Sequence, residues 1–176
     1  MITTGGIGVG AGILGRALNI ETAKGFVGYW LAIAIVCMAV SFLIARRQAF
    51  KDREAFWSPA ARRVAWALAP ALCVGCMAGV FTLVSPDWDF VKPWRLPALW
   101  LLLYGCALHS AGFFMPRPVR VSSWAFVLLG AVQMGDGLHA GAPSLLNSHY
   151  VMGGVFGLSH LLLGVVLAAR LKNSDV

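Results

Sequence analysis

The chain has 176 residues, of which 59% are hydrophobic and only 12% are charged. Soluble domains carry about 25% charged residues, so this sequence lacks the charge needed to cover a surface exposed to water. The net charge is +7, but the basic residues lie in short loops between apolar runs and are not interleaved with aromatic residues. We therefore expect no nucleic-acid partner, and we predict a single integral membrane domain over residues 1–176, in contact with the lipid bilayer.

The N-terminal stretch 5–20 is apolar and rich in glycine, and it predicts a short first helix. It is shorter than the roughly 20 residues that cross a bilayer. Gly8 and Gly12 are four residues apart, a spacing that permits close helix packing. The spelling Gly10-x-Gly12-x-x-Gly15 also matches a dinucleotide-binding fingerprint, but no strand precedes it, so we interpret it as part of the helix. The stretch is a short or tilted first span, a re-entrant segment or a surface helix. No basic residue precedes it, so we expect no cleaved signal peptide and insertion directed by the first membrane helix.

Five longer apolar runs follow and predict full membrane spans, at residues 25–45, 64–84, 96–115, 122–141 and 150–170. With the short first helix at 5–20, the predicted fold class is all-α, a polytopic bundle with six transmembrane helices. Gly75 and Gly79 form a second pair of small residues suited to close helix packing.

The charges of the loops alternate along the chain. Loops 46–63 and 116–121 and the C-terminus are basic, whereas loops 85–95 and 141–149 are not. Cytoplasmic loops of membrane proteins carry an excess of Lys and Arg, so we predict that the basic loops and the C-terminus are cytoplasmic. The predicted location is the cytoplasmic (inner) membrane of a bacterium, with a multi-pass topology. If residues 5–20 also cross, the N-terminus is cytoplasmic as well.

A polar stripe marks the fifth predicted span. Gln133, Asp136 and His139 recur at intervals of three residues, and His149 begins the last span at a similar level. Ionisable side chains inside a membrane are usually paired or functional. One hypothesis is a metal site formed by Asp136, His139 and His149, or a proton relay. The alternative is a helix end near the interface, where water and neighbouring side chains satisfy these groups.

Two further histidines, His109 and His160, lie near the middles of their spans. A rise of 1.5 Å per residue places them within about 5 Å of each other in depth. They would suit ligation of one haem iron, or of a pigment by a single ring. The alternative is that each imidazole hydrogen-bonds a neighbouring helix, for example through Tyr104, Ser110 or a backbone carbonyl.

Four cysteines also fall near the middles of spans: Cys37, Cys73, Cys76 and Cys106. We predict that they are small buried apolar residues and form no disulfide, since none lies in a loop. Ser159 and His160 are adjacent on a helix and point in different directions, so they cannot act as nucleophile and base. We predict no catalytic residue.

Several short stretches resemble a family of small bacterial multi-pass membrane proteins without an established function. The stretches that carry this resemblance are Ala45-Arg46-Arg47-Gln48, Trp57-Ser58-Pro59 with Arg62-Arg63-Val64-Ala65, Leu99 to Gly105, and Phe156-Gly157-x-x-His160 with Gly164. The resemblance implies a six-helix bundle with a short first helix, and it implies no activity.

Two function classes follow from these observations. The first is a non-enzymatic subunit or scaffold of a larger membrane complex, with other membrane subunits or further copies of the chain as partners. The absence of a catalytic signature, the short loops and the small-residue faces favour it. The second is a protein that handles haem or pigment, or metal or protons, through its intramembrane His and Asp residues.

Overall fold

The computed structural model describes residues 1–85, 93–139 and 144–174, without the side chains of 93, 136–139 and 170–174. This part of the chain is helical and contains no strand, which confirms the all-α prediction. The helices are α1 (Ile2–Ala17), α2 (Ala23–Lys51), α3 (Pro59–Val84), α4 (Leu96–Ala111), α5 (Arg117–His139), α6 (Leu145–Val151) and α7 (Ser159–Ser174). A π-helical segment, Met152–Leu158, joins α6 to α7. We call the continuous element over residues 145–174 the last helix.

Side-chain caps set the starts of the longer helices. The Thr22 hydroxyl accepts a hydrogen bond from the amide of Gly25, and the Ser58 hydroxyl accepts one from the amide of Ala61. Each cap satisfies an amide that has no partner within its helix. Pro59 occupies the first turn after Ser58, where its missing amide is not needed.

Several helix ends differ from those predicted by hydropathy. α2 continues beyond residue 45 to Lys51, because the basic residues that end the apolar run still favour helix. The last helix begins at Leu145, before the apolar run, and is capped by Ser144. α4 ends early, at Ala111, where Gly112 lets the chain turn tightly: a Cβ built there would lie 2.8 Å from the Cα of Arg120.

Within the described residues, three helices are long and apolar enough to cross a membrane: Ala23–Lys51, Pro59–Val84 and Leu145–Ala169. α4 is also apolar but has only 16 residues. Large apolar side chains are exposed on the outside of the helices, for example Phe42, Trp66 and Leu162. Exposed apolar surface of this extent is what a bilayer solvates, so the structure supports a transmembrane protein.

The helices pack in chain order around a closed ring. Each of α1 to α5 contacts the next one, α5 contacts the last helix, and the last helix contacts α1 along its length. Short connections favour such antiparallel neighbours. The ring brings the two ends of the chain together and makes the last helix a partner of both α1 and α5.

Gly8 and Gly12 form a close contact between helices, as their spacing predicts. A Cβ built at Gly8 would lie 3.0 Å from the Cα of Gly157, and one built at Gly12 would lie 2.7 Å from the Cα of Gly153. The close packing predicted for Gly8 and Gly12 is therefore confirmed, and the partner is the π-helical segment of the last helix.

The second glycine pair receives an indole ring. Trp100 lies along the groove over Gly75 and Gly79, and its Nε1 donates to the Gly75 carbonyl at 2.8 Å. The absence of two side chains on α3 thus makes room for the largest side chain of α4. The bond also satisfies an indole N–H that would otherwise be unpaired in an apolar environment.

Two apolar clusters fill the inside of the ring. One includes Phe26, Trp30 and Leu96, and the other includes Leu101 and Phe126. Phe156, on the π-helical segment, packs against both clusters. Beside each cluster the last helix contributes one buried histidine.

Candidate functional sites

His149, on α6, is completely buried and hydrogen-bonded through both ring nitrogens. The indole Nε1 of Trp30 lies 3.1 Å from His149 Nδ1, and the carbonyl oxygen of Ile20 lies 3.0 Å from His149 Nε2. The ring therefore links three parts of the fold: the connection after α1, the first turns of α2 and the start of the last helix.

These two partners define the protonation of the His149 ring. An indole N–H can only donate, so Nδ1 must accept, and a carbonyl oxygen can only accept, so Nε2 must carry the hydrogen. The ring is thus the neutral Nε2–H tautomer. Protonation of Nδ1 would place two donors against each other and break the bond to Trp30.

Aromatic rings and one glycine enclose His149. The ring centroid of Phe26 lies 4.8 Å away and that of Tyr29 lies 5.6 Å away, both edge-on. A Cβ built at Gly15 would lie 2.4 Å from His149 Nδ1, so only glycine fits there. Tyr29 Oη also donates to the Ala11 carbonyl at 2.6 Å. Among the described residues, the His149 ring is therefore closely packed on several sides.

The predicted metal site of Asp136, His139 and His149 stays a prediction. The backbone of α5 reaches His139, but the side chains of Asp136 and His139 lie outside the described residues. His149 could bind a metal only by giving up Trp30 or Ile20, because both of its nitrogens are occupied. Gln133, whose side chain is described, has a buried Oε1 without a donor in the described part of the chain.

His160, at the start of α7, has a second fully bonded ring. Its Nε2 lies 2.6 Å from the Tyr104 hydroxyl, and its Nδ1 lies 2.6 Å from the Phe156 carbonyl oxygen. The carbonyl can only accept, so Nδ1 carries the hydrogen and Nε2 accepts from the Tyr104 hydroxyl. The alternative expectation for His160, a hydrogen bond to Tyr104 on a neighbouring helix, is what the structure shows.

His109 has different neighbours from His160. Its Nδ1 lies 3.3 Å from the Ser123 hydroxyl, and its ring contacts are with Phe113 and Trp124. Ser123 donates to the Arg120 carbonyl at 2.6 Å, so His109 Nδ1 is the donor in their bond. No ring contact joins His109 to His160 among the described residues. The haem or pigment prediction for this pair stays untested, although His160 would have to release Tyr104 to act as a ligand.

The cysteine prediction is wrong for three of the four residues. Cys73, Cys76 and Cys106 are exposed on the outside of α3 and α4, and only Cys37 is partly buried. All four are free, as predicted. The central depth of a residue in a membrane helix does not reveal whether it faces protein or lipid. In the described part of the chain, no group of three or more His, Cys, Asp or Glu side chains could hold a metal ion.

No family model matches the chain, and neither a curated protein nor a solved structure matches it. The resemblance to a family of small bacterial membrane proteins therefore remains a prediction. The functional argument depends on the geometry of this chain alone.

An apolar groove lies on the outside of the ring, between α5 and α7. It has a volume of about 500 Å³ and opens outward. Arg117 lies at one end, and Val121, Ala125, Leu162 and Val166 line its walls. Hydropathy does not reveal this groove, because its lining residues belong to two separate apolar runs.

Apart from Tyr104, the partners of the two buried histidines are not predicted by the sequence. Trp30 precedes His149 by 119 residues, and no local pattern connects them. Gly15 does carry a signal: it extends the Gly8 and Gly12 face by one further helical step, and the structure shows His149 against it.

Proposed function

We propose that this chain is a six-span protein of the bacterial cytoplasmic membrane and a non-enzymatic subunit of a larger membrane assembly. The closed ring supports six crossings, since α1 and α4 pack beside helices that are long enough to span. With 16 residues each, α1 and α4 extend about 24 Å, somewhat less than the roughly 30 Å hydrocarbon core.

The proposed orientation follows from the loop charges. Six antiparallel crossings would place the loop between α2 and α3, the loop between α4 and α5 and the N-terminus on the same side of the membrane. Most basic residues of the chain lie in or next to these two loops, within residues 46–63 and 117–120, and near the C-terminus, so this side is assigned to the cytoplasm.

The buried histidines support a structural and not a catalytic role. Both nitrogens of His149 and of His160 are hydrogen-bonded, and one bond of each ring joins the last helix to another helix, through Trp30 and Tyr104. A general acid or base needs a nitrogen within reach of a substrate, and these rings offer none without losing a packing contact. We infer that the hydrogen bonds of both imidazoles serve to stabilise the packing of the helices.

Two outward glycines on α1 carry the subunit proposal. A Cβ built at Gly6 or Gly10 would meet nothing within 4 Å. An exposed glycine within a helix destabilises it by about 0.5–1 kcal/mol relative to alanine, so these two positions do not benefit the isolated chain. In a membrane, small residues four apart allow the backbone of another helix to approach closely. We infer that a helix of another subunit, or of a second copy, packs over Gly6 and Gly10.

The test is to substitute Gly10→Leu and purify the protein from its native membrane. We expect the variant to fold and insert normally but to lose its co-purifying chain, as measured by native mass spectrometry. Gly135→Leu is a matched control, because a Cβ at Gly135 also meets nothing within 4 Å and lies on α5. A native protein that emerges as a lone monomer, or a Gly10→Leu variant that keeps its partner, would contradict the proposal.

The cofactor alternative retains one specific observation, the free nitrogen of His109. Its Nδ1 is bonded to Ser123, whereas its Nε2 has no partner among the described residues. A single neutral imidazole of this kind suits ligation of a haem or pigment at the ring surface. A visible absorption band in the purified protein that disappears in His109→Ala would support this function, and a colourless preparation would exclude it.

A further inference from the structure

The groove between α5 and α7 combines an apolar wall with one cation at its end. Val121, Ala125, Leu162 and Val166 provide the wall, and Arg117 provides the charge. The Arg117 side chain is exposed and makes no ion pair within the described residues. α5 begins at Arg117, so the positive end of its helix dipole lies at the same end, where it favours an anion.

The length of the groove matches one leaflet of a bilayer. From Arg117 to Ala125 the helix rises about 12 Å, and half of the hydrocarbon core is about 15 Å. The cation is at the end that we assign to the cytoplasmic surface. The groove therefore runs from the headgroup level toward the middle of the membrane.

We propose that this groove binds one anionic phospholipid of the cytoplasmic leaflet, with its phosphate at Arg117 and an acyl chain along Val121, Ala125, Leu162 and Val166. Basic pockets between membrane helices on the cytoplasmic side are known to bind anionic headgroups. This inference depends on the proposed membrane location and orientation, but it does not depend on the proposed partner subunit.

The shape and the charge of the groove favour a lipid. Small-molecule pockets measure about 300–1,000 Å³. A flexible chain of methylene groups can follow such a groove, and the exposed Arg117 at its end is complementary to a ligand with a negative end.

The experiment is native mass spectrometry of the full-length purified protein, titrated with phosphatidylglycerol or with phosphatidylcholine. We expect one tightly held phosphatidylglycerol and weaker binding of phosphatidylcholine. Arg117→Ala should weaken phosphatidylglycerol binding about fivefold, the contribution of one basic residue near an anionic surface. Arg63→Ala, which removes a basic residue of α3 outside the groove, should leave it unchanged.

A second variant tests the acyl-chain contact. Ala125→Trp fills the groove and should abolish retention of both lipids, whereas Ala39→Trp, at an exposed position of α2, should not. Soluble glycerol phosphate should not compete, since it lacks the chain. Equal effects of Arg117→Ala and Arg63→Ala, competition by glycerol phosphate, or loss of a protein partner instead of a lipid in Ala125→Trp would each overturn the inference.

The two proposals fail in different ways. The lipid measurement uses the purified protein without partners, so a negative result leaves the Gly10 experiment untouched. A negative Gly10 experiment likewise leaves the lipid result standing. Both proposals require an integral membrane protein. Release of the protein from membranes by alkaline carbonate would therefore contradict both.

Discussion

The last helix meets its two neighbours in opposite ways. Toward α1 it presents Gly153 and Gly157, and the two backbones approach until a single added carbon would collide. Toward α5 it presents Leu162 and Val166, whose side chains leave an open groove. One helix thus has a side of close backbone contact, with only a small recess of about 180 Å³ beside it, and a side with a larger open groove.

This difference shows how helix association works when no water is expelled. Between membrane helices the driving force is close packing and hydrogen bonding. On the α1 side, glycines allow the close packing, and His149 adds a hydrogen bond to the Ile20 carbonyl. On the α5 side, the branched side chains of Leu162 and Val166 line a groove between the helices, and lipid chains can fill this groove. The following predictions test this difference between the two sides of the last helix.

The largest effect is expected from Gly12→Ala. The new Cβ would lie 2.7 Å from the Cα of Gly153 and 2.8 Å from the His149 carbonyl oxygen, and neither backbone can move without parting the helices. We expect a loss of about 3 kcal/mol or more, the upper range for overpacking, measured by unfolding in detergent. Gly10→Ala is the control and should be neutral or slightly stabilising. Equal stability of the two variants would contradict the tight interface.

Sequence reasoning predicted this interface only in part. The spacing of Gly8 and Gly12 indicated a close helix contact, because a glycine face permits one. It could not identify the last helix as the partner, since spacing describes one surface and not its complement. The same limit explains the cysteines: hydropathy predicted their depth, but Cys73 and Cys106 proved to face outward.

The buried histidines show where prediction from a single sequence ends. A charged or titratable group in an apolar helix predicts a partner, and Tyr104 was correctly among the candidates for His160. No sequence pattern pairs Trp30 with His149, because an indole ring near the start of a span is typical of the headgroup region. The ring of helices, which no local pattern encodes, brings the two together.

The next largest effect is expected from His149→Leu, on the tight side of the last helix. Leucine fills much of the volume but leaves the Trp30 indole and the Ile20 carbonyl without partners. Each buried polar group left unpaired costs about 1–3 kcal/mol, so we expect a loss of about 2–4 kcal/mol in unfolding experiments. Double substitution of His149→Leu with Trp30→Phe removes the unpaired indole and should recover part of the loss. Additive losses in the double variant would show that the two rings are not coupled.

A smaller effect is expected from Tyr104→Phe, which tests the interior of the ring. The substitution removes only the hydroxyl that donates to His160 Nε2 at 2.6 Å, and the aromatic contact with Phe126 remains. Hydrogen bonds between membrane helices contribute about 0.6 kcal/mol on average and up to about 1.7 kcal/mol. We expect a loss within this range in detergent unfolding, and a loss as large as that of Gly12→Ala would mean that side-chain bonds and not backbone contacts close the ring.

The smallest effect is expected from Ala125→Leu, on the open side. The added side chain enters a groove that already has space for it, so stability should change by no more than about 0.5 kcal/mol, as for exposed positions elsewhere. Gly12 on α1 and Ala125 on α5 lie on opposite sides of the last helix. Comparing the two variants in one unfolding assay therefore measures how much more tightly the last helix packs against α1 than against α5. If Ala125→Leu were as damaging as Gly12→Ala, the α5 side would have to be closed in the membrane, and the groove would have no volume to offer a lipid.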